Sequence, residues 1–248
     1  MTATPAAHQT PQKVLLRCFS EARLSTYLDH CGGELDPALT FYEWNTAISG
    51  AAWEVLIHVE VALRNALAAA MQRRHDRHRR AGSWLDDPAG ELDAAARRDI
   101  DHARRRVWRS GHRPSDGQTI AQLGLGFWRF LIVRRYNTTL WPDLAGAFPH
   151  APDRARSTVE EPTDRLHGFR NRVAHHERLW AQPLADRYAD MLTLLGFIDP
   201  VLARWVANGA RFPAVLAARP VMRPGRMVRQ HALPVSGGPG DLVADPAG

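Results

Sequence analysis

Within Phe169-Arg170-Asn171-Arg172-Val173-Ala174-His175-His176-Glu177, an arginine is followed at once by an asparagine and, four residues later, by a histidine. These types suit work on a phosphodiester. Arginine holds phosphate with a planar fork of donors. Asparagine hydrogen-bonds phosphate or a ribose hydroxyl, and histidine is the side chain whose unperturbed pKa suits proton transfer near neutral pH. RNA brings its own nucleophile, the 2′-hydroxyl: His175 would act as general base or acid with His175 of a second copy as its companion, Arg170 would stabilise the phosphorane-like charge, and Asn171 would orient phosphate or ribose. The candidate catalytic residues are Arg170, Asn171 and His175; His176, Arg64, Arg172 and Arg178 are candidate accessory residues. The bland alternative is a solvated helix face that happens to carry Arg, Asn and His.

No cofactor or metal motif competes. Gly124-x-Gly126 lacks the third glycine and the preceding strand of a dinucleotide site. Cys18 and Cys31 match no zinc spacing and make no disulfide scaffold. A metal held by His175, His176 and Glu177 is disfavoured, because adjacent helical residues point about 100° apart. No cofactor and no metal are expected.

The elements that must position the cluster are helical, since apolar residues recur at steps of three and four almost throughout. Ser20 should cap a short helix ended by Gly32-Gly33. Asp36-Pro37 should open a long helix to about His75. Its exit, from Arg73 to Arg80, is a charge run, read as a solvated helix end or as an RNA-contacting patch. A loop over 82–90 with Trp84 and Leu85 tucked in, a charged helix over 92–109 and a buried helix over 118–136 follow. A helix from about Asp153 should break and restart at Pro162. Helices over 184–195 and after Asp199-Pro200 complete the series. Residues 1–17 read as a flexible arm, 18–215 as one all-α domain, and 216–248 as a disordered tail rich in Pro, Gly and Arg.

An unbroken helix from Leu166 to Trp180 would put Phe169, Val173 and Trp180 in one apolar stripe, at about 300°, 340° and 320° from Leu166. Asn171 and His175 would lie together on the opposite face, at about 140° and 180°. His176, at about 280°, would sit on the shoulder of the stripe in a structural role. Glu60 and Arg64 are spaced for an i,i+4 ion pair, with Arg64 otherwise an accessory phosphate contact.

The chain has 248 residues, 45% hydrophobic and 23% charged, with a formal net charge of +6 and a pI of about 10.1. That balance favours an anionic partner, RNA first. Lys13 is the only lysine, so an arginine-rich composition is an equal explanation of the charge. The N-terminus shows no secretory signal. No run approaches the roughly 18 uninterrupted apolar residues of a membrane span. No membrane partner and a cytoplasmic location are expected.

The cluster resembles the signature of HEPN-superfamily proteins, in which an Arg, often followed by a polar residue, precedes a His by four to six positions. The rest of the chain is similar to the Abi-like (abortive infection) branch in Phe19-Ser20-x-x-Arg23-Leu24-x-x-Tyr27-Leu28, Phe41-Tyr42-x-Trp44-Asn45, Glu60-Val61-Ala62-Leu63-Arg64-Asn65, Leu123-Gly124-Leu125-Gly126-Phe127-Trp128, Arg135-Tyr136 and Leu140-Trp141. The likeness covers roughly residues 18–215. It implies a HEPN-like helical bundle with additional helices, forming a homodimer with a shared cleft. It also implies a metal-independent endoribonuclease acting as a toxin or antiphage effector, with an antitoxin as a partner. A catalytically inactive RNA-binding or protein-interaction module is the alternative within the same resemblance.

Overall fold

The computed structural model describes residues 11–223, apart from 112, and 226–228. The fold is all-α. Eleven helices are described: α1 (Pro11–Phe19), α2 (Glu21–His30), α3 (Leu35–Arg77), α4 (Ala94–Arg109), α5 (Asp116–Gln122), α6 (Leu125–Phe130), α7 (Trp141–Leu144), α8 (Arg156–Ala174), α9 (Leu184–Ile198), α10 (Pro200–Gly209) and α11 (Phe212–Ala217). A minimal antiparallel pair follows, β1 (Val221–Arg223) with β2 (Arg226–Val228), in which Met222 faces Met227 in register.

The chain separates into two compact units, residues 1–44 with 217–248, and residues 45–216. In the first, Ser20 caps α2 by accepting from the Arg23 backbone N–H. Tyr27, Phe41 and Trp44 pack as an aromatic cluster, and the Arg219 guanidinium lies 5.9 Å and 5.5 Å from the Phe41 and Trp44 ring centres. This division differs from the expected arm, domain and tail. Part of the arm is helical in α1, whose Val14, Leu15 and Leu16 are half-buried. The expected tail begins with the end of α11 and the β pair, and Arg219 returns onto aromatic rings. Residues 1–10 and 229–248 lie outside the described residues.

The second unit is built on α3. Its Ile48, Val55, Leu56, Val59, Leu63 and Leu67 are buried, and their three- and four-residue spacing gives the helix a continuous core face. Ile100 of α4, Trp128 of α6, Leu166 and Phe169 of α8, and Met191, Leu194 and Leu195 of α9 complete that core. By length and composition alone α3 could also cross a membrane; the core helix of a soluble protein meets the same test.

Two helix boundaries differ from expectation. The buried helix expected over 118–136 is split into α5, α6 and a 3₁₀ turn at Arg134–Tyr136. Leu123 is extended there, Gly124 is the cap of α6, and the Trp128 indole N–H donates to the Leu123 carbonyl at 3.2 Å. Conversely, α8 runs straight through Pro162. Pro162 and Thr163 are buried, and the Thr163 hydroxyl donates to the Val159 carbonyl at 2.7 Å. Packing of that face outweighs the lost proline N–H.

Candidate active site

Two helices and one turn assemble the site. Helix α3 supplies Asn45, Trp53 and Glu60. Helix α8 supplies His167, Arg170 and Asn171, and the turn after it supplies His175 and His176. Helix α8 is held by packing on both α6 and α9. The chain leaving the turn is fastened to α3 by Asn45, only 4% exposed, whose side-chain oxygen accepts the Leu179 backbone N–H at 2.8 Å. An amide buried in this way must have its partner, so the Asn of the Tyr-x-Trp-Asn stretch is a positioning residue for the turn.

Arg170 is fixed from two sides. Its Nε donates to Glu60 Oε1 at 2.9 Å, and its guanidinium carbon stands 5.3 Å from the centre of the Trp53 ring. Its two Nη groups make no hydrogen bond with a described residue. Glu60 therefore pairs with Arg170 across the two helices, and the expected Glu60–Arg64 pair is not formed. Arg64 instead donates from Nε to Asn65 Oδ1 at 3.3 Å. A charged group between helices meets Arg170 where an i,i+4 partner would hold it against solvent on its own helix.

Helix α8 ends at Ala174, so the unbroken helix to Trp180 does not exist. His175 is the C-cap. His176 has φ 55°, with its N–H bonded to the Val173 carbonyl at 3.1 Å and the Glu177 N–H bonded to the Arg172 carbonyl at 2.9 Å. This is a Schellman ending with a histidine at the left-handed position. His175 keeps the expected place one turn beyond Asn171, its N–H bonded to the Asn171 carbonyl at 2.9 Å, whereas the helical-wheel placement of His176 and Trp180 fails. His176 is exposed rather than buried, and Leu179, fully buried, takes the apolar place expected of Trp180. His176 lines a cleft of about 450 Å³ with Thr46, Ser49, Gly50, Trp53, Val173 and Ala174. Arg170 and His176 thus share Trp53 as a neighbour. His175 is exposed, and neither its ring nor the Asn171 amide makes a hydrogen bond with a described residue.

Arg172 is drawn into the turn itself, with its Nη1 2.7 Å from Glu177 Oε2. Among the described residues, no group of three or more His, Cys, Asp or Glu could hold a metal ion. Arg178 is exposed and makes no ion pair with a described residue.

Three members were not read from the sequence as part of the site: Trp53, Glu60 in its present role, and His167. His167 precedes Arg170 and Asn171 by three and four residues, the helical spacing that could have flagged it. It is half-buried, and Gly126 of α6 faces it: a Cβ at Gly126 would stand 3.4 Å from its Nε2. Burial, then the nearby Arg129 charge, holds the His167 imidazole below its ordinary 6.5. Arg129 is itself paired with Asp164 of α8.

A scan against protein-family models and searches of the curated proteins and of the solved structures each found no match.

Proposed function

We propose that the chain is a metal-independent endoribonuclease. One observation carries this reading: Arg170 is fixed through its Nε and its ring-facing side while both Nη groups remain open, beside a cleft that His176 lines. A guanidinium oriented in this way is preorganised for a bidentate phosphate contact. An arginine serving only the fold would be expected to spend more of its donors on the protein.

In the proposed reaction His176 takes the 2′-hydroxyl proton as the 2′-oxygen attacks phosphorus. The bond from phosphorus to the 5′-oxygen breaks, and the leaving oxygen takes a proton from His175. Arg170 stabilises the charge on the phosphorane-like oxygens, and Asn171 orients phosphate or ribose. The products are a 2′,3′-cyclic phosphate and a 5′-hydroxyl. DNA, lacking the 2′-hydroxyl, is not cut. His176 replaces His175 as the base because the cleft and Trp53 lie on its side of the turn.

The remaining parts of the reading are a homodimer, a cytoplasmic toxin or antiphage role and an antitoxin partner. The last two rest on the resemblance to Abi-like HEPN proteins. For the dimer there is also a surface: Ile57 and Val61, 48% and 40% exposed, stand one turn apart on α3 beside Glu60. Sedimentation of the full chain should show a dimer that Ile57→Lys converts to monomer.

The deciding experiment is cleavage of total RNA and tRNA in EDTA by the wild type, His175→Ala and His176→Ala. Cleavage by the wild type that is lost in folded His176→Ala supports the scheme. Cleavage that requires added metal sinks it. RNA binding without cleavage in all three would favour the inactive RNA-binding module.

A further inference from the structure

Helix α4 carries six arginines, which divide into two sets. Arg97 and Arg104 pair with Asp87 and Asp86, and Arg106 bonds the side chain and carbonyl of Gln122. Arg98, Arg105 and Arg109 are exposed and make no hydrogen bond or ion pair with a described residue. With Arg98 at zero, His102, Arg105 and Arg109 fall at about 40°, 340° and 20° around the helix. The opposite face, at about 140° to 200°, is the buried one: Ala96, Ile100, Ala103 and Val107. The basic row thus stands diametrically opposite the core face and runs for roughly 16 Å. Trp108, at the edge of the row, is 68% exposed.

An ordinary solvated helix face interleaves its charges in i,i+3 and i,i+4 pairs. Asp101 has that spacing to both Arg98 and Arg105, yet it forms no ion pair with either. A large aromatic ring left in water next to unpaired guanidinium groups is the combination that grips single-stranded nucleic acid, by phosphate contacts and base stacking. A membrane surface fits poorly, because the apolar face it would need is already buried in the core.

We propose that the row Arg98, His102, Arg105 and Arg109, with Trp108, is a binding ridge for single-stranded RNA, the arginines holding consecutive phosphates and Trp108 stacking on a base. The choice of RNA rests on the ribonuclease reading, which the ridge deepens by giving the strand a second holding point. Helix α6 packs on both α4 and α8, linking the ridge to the helix that carries Arg170.

The test uses the full chain and a fluorescein-labelled single-stranded oligonucleotide with 2′-O-methyl riboses, which can be bound but not cut. Binding is measured by anisotropy in EDTA across a salt series. Arg98→Ala/Arg105→Ala/Arg109→Ala should weaken binding at least tenfold at low salt and flatten the log–log salt slope by about 2, near 0.7 per lost phosphate contact. Arg134→Ala/Arg154→Ala/Arg204→Ala removes the same charge from exposed sites elsewhere and should change the slope little. Trp108→Ala should cost about fivefold or more, with Trp108→Phe retaining most of the affinity. Equal effects of the two triple variants, an inert Trp108→Ala, or a wild type that binds an acidic protein but no oligonucleotide would overturn the ridge. Tight, ridge-dependent binding by a protein that fails to cut unmodified RNA would remove the nuclease and leave the ridge standing.

Discussion

Helices α2 and α8 end with the same hydrogen-bond pattern and different residues. At the end of α2 the Gly32 N–H bonds Asp29 and the Gly33 N–H bonds Leu28, at 3.3 and 2.8 Å, with Gly32 at φ 64°. At the end of α8 the His176 and Glu177 N–H groups make the equivalent bonds, with His176 at φ 55°. Glycine adopts this conformation without a steric penalty, and a side chain there costs roughly 1 to 2 kcal/mol. One end is built for stability alone. The other keeps a histidine in a strained position beside a cleft and a half-engaged arginine. Strain of this kind persists where the surrounding structure holds it, and it clusters at functional sites. Asn45, gripping the chain at Leu179, is part of what holds it here.

The largest effect expected from breaking this contrast is chemical. Arg170→Ala and His176→Ala should each lower RNA cleavage by about 100-fold or more, the scale of losing one charge-stabilising or proton-transfer group. Gly32→Ala should leave cleavage per folded molecule unchanged. Cleavage kinetics on matched fractions of folded protein would decide it.

A loss confined to stability should come from the ion-pair network around Arg74. Arg80 and Arg74 hold the Glu91 carboxyl at about 2, against an ordinary 4.5, and Arg80 stands 2.7 Å from it. Arg74 and Arg77 likewise outweigh the burial of Asp143 and hold its carboxyl low. A carboxylate with a depressed folded-state pKa contributes its full stability above its unfolded value and loses it as pH falls through the folded one. Denaturant titrations should therefore show up to about 3 kcal/mol of stability disappearing between about pH 4.5 and pH 2. At pH 7, Glu91→Gln should forfeit a comparable amount, and its remaining folded fraction should cut RNA normally.

An intermediate effect belongs to Glu60. Glu60→Gln keeps a hydrogen bond to Arg170 but loses the charge that orients it, so cleavage should fall about tenfold, near 1.4 kcal/mol in the transition state. Unchanged turnover would mean that Trp53 alone positions the guanidinium.

The smallest effect tests the comparison most directly. His176→Gly should raise stability by about 0.5 to 1 kcal/mol as it relieves the left-handed side chain, and abolish cleavage. Gly32→Ala should lower stability by about as much. Melting temperatures that move in the same direction in both variants would erase the distinction between the two ends.

Much of the fold was legible in the residues. Ser20 and Gly32-Gly33 bounded α2, Asp199-Pro200 opened α10, and the apolar periodicity of α3 named its buried face, because caps and helical spacing act over a few residues. The failures came where distant packing outvoted those signals. Pro162 sits inside a continuous helix, and Leu123-Gly124 divides a segment whose apolar residues suggested one helix. Ile57 and Val61 continue the apolar pattern of α3 and yet face outward.

At the site the sequence by itself determined the ingredients: Arg170, Asn171 and two histidines within seven residues, on or just beyond one helix. It also determined, through the stretches around Asn45 and Glu60, which part of α3 would matter. Only the tertiary structure decided how they are partnered. Glu60 could satisfy Arg64 one turn along its own helix, and it serves Arg170 because α8 crosses α3 there. The ending of α8 at Ala174 separates the two histidines, His175 capping the helix and His176 standing in the left-handed turn that lines the cleft. The unused donors of Arg170 became visible only when all its neighbours were in place, because whether a charge is spent on the fold depends on contacts between residues far apart in the chain.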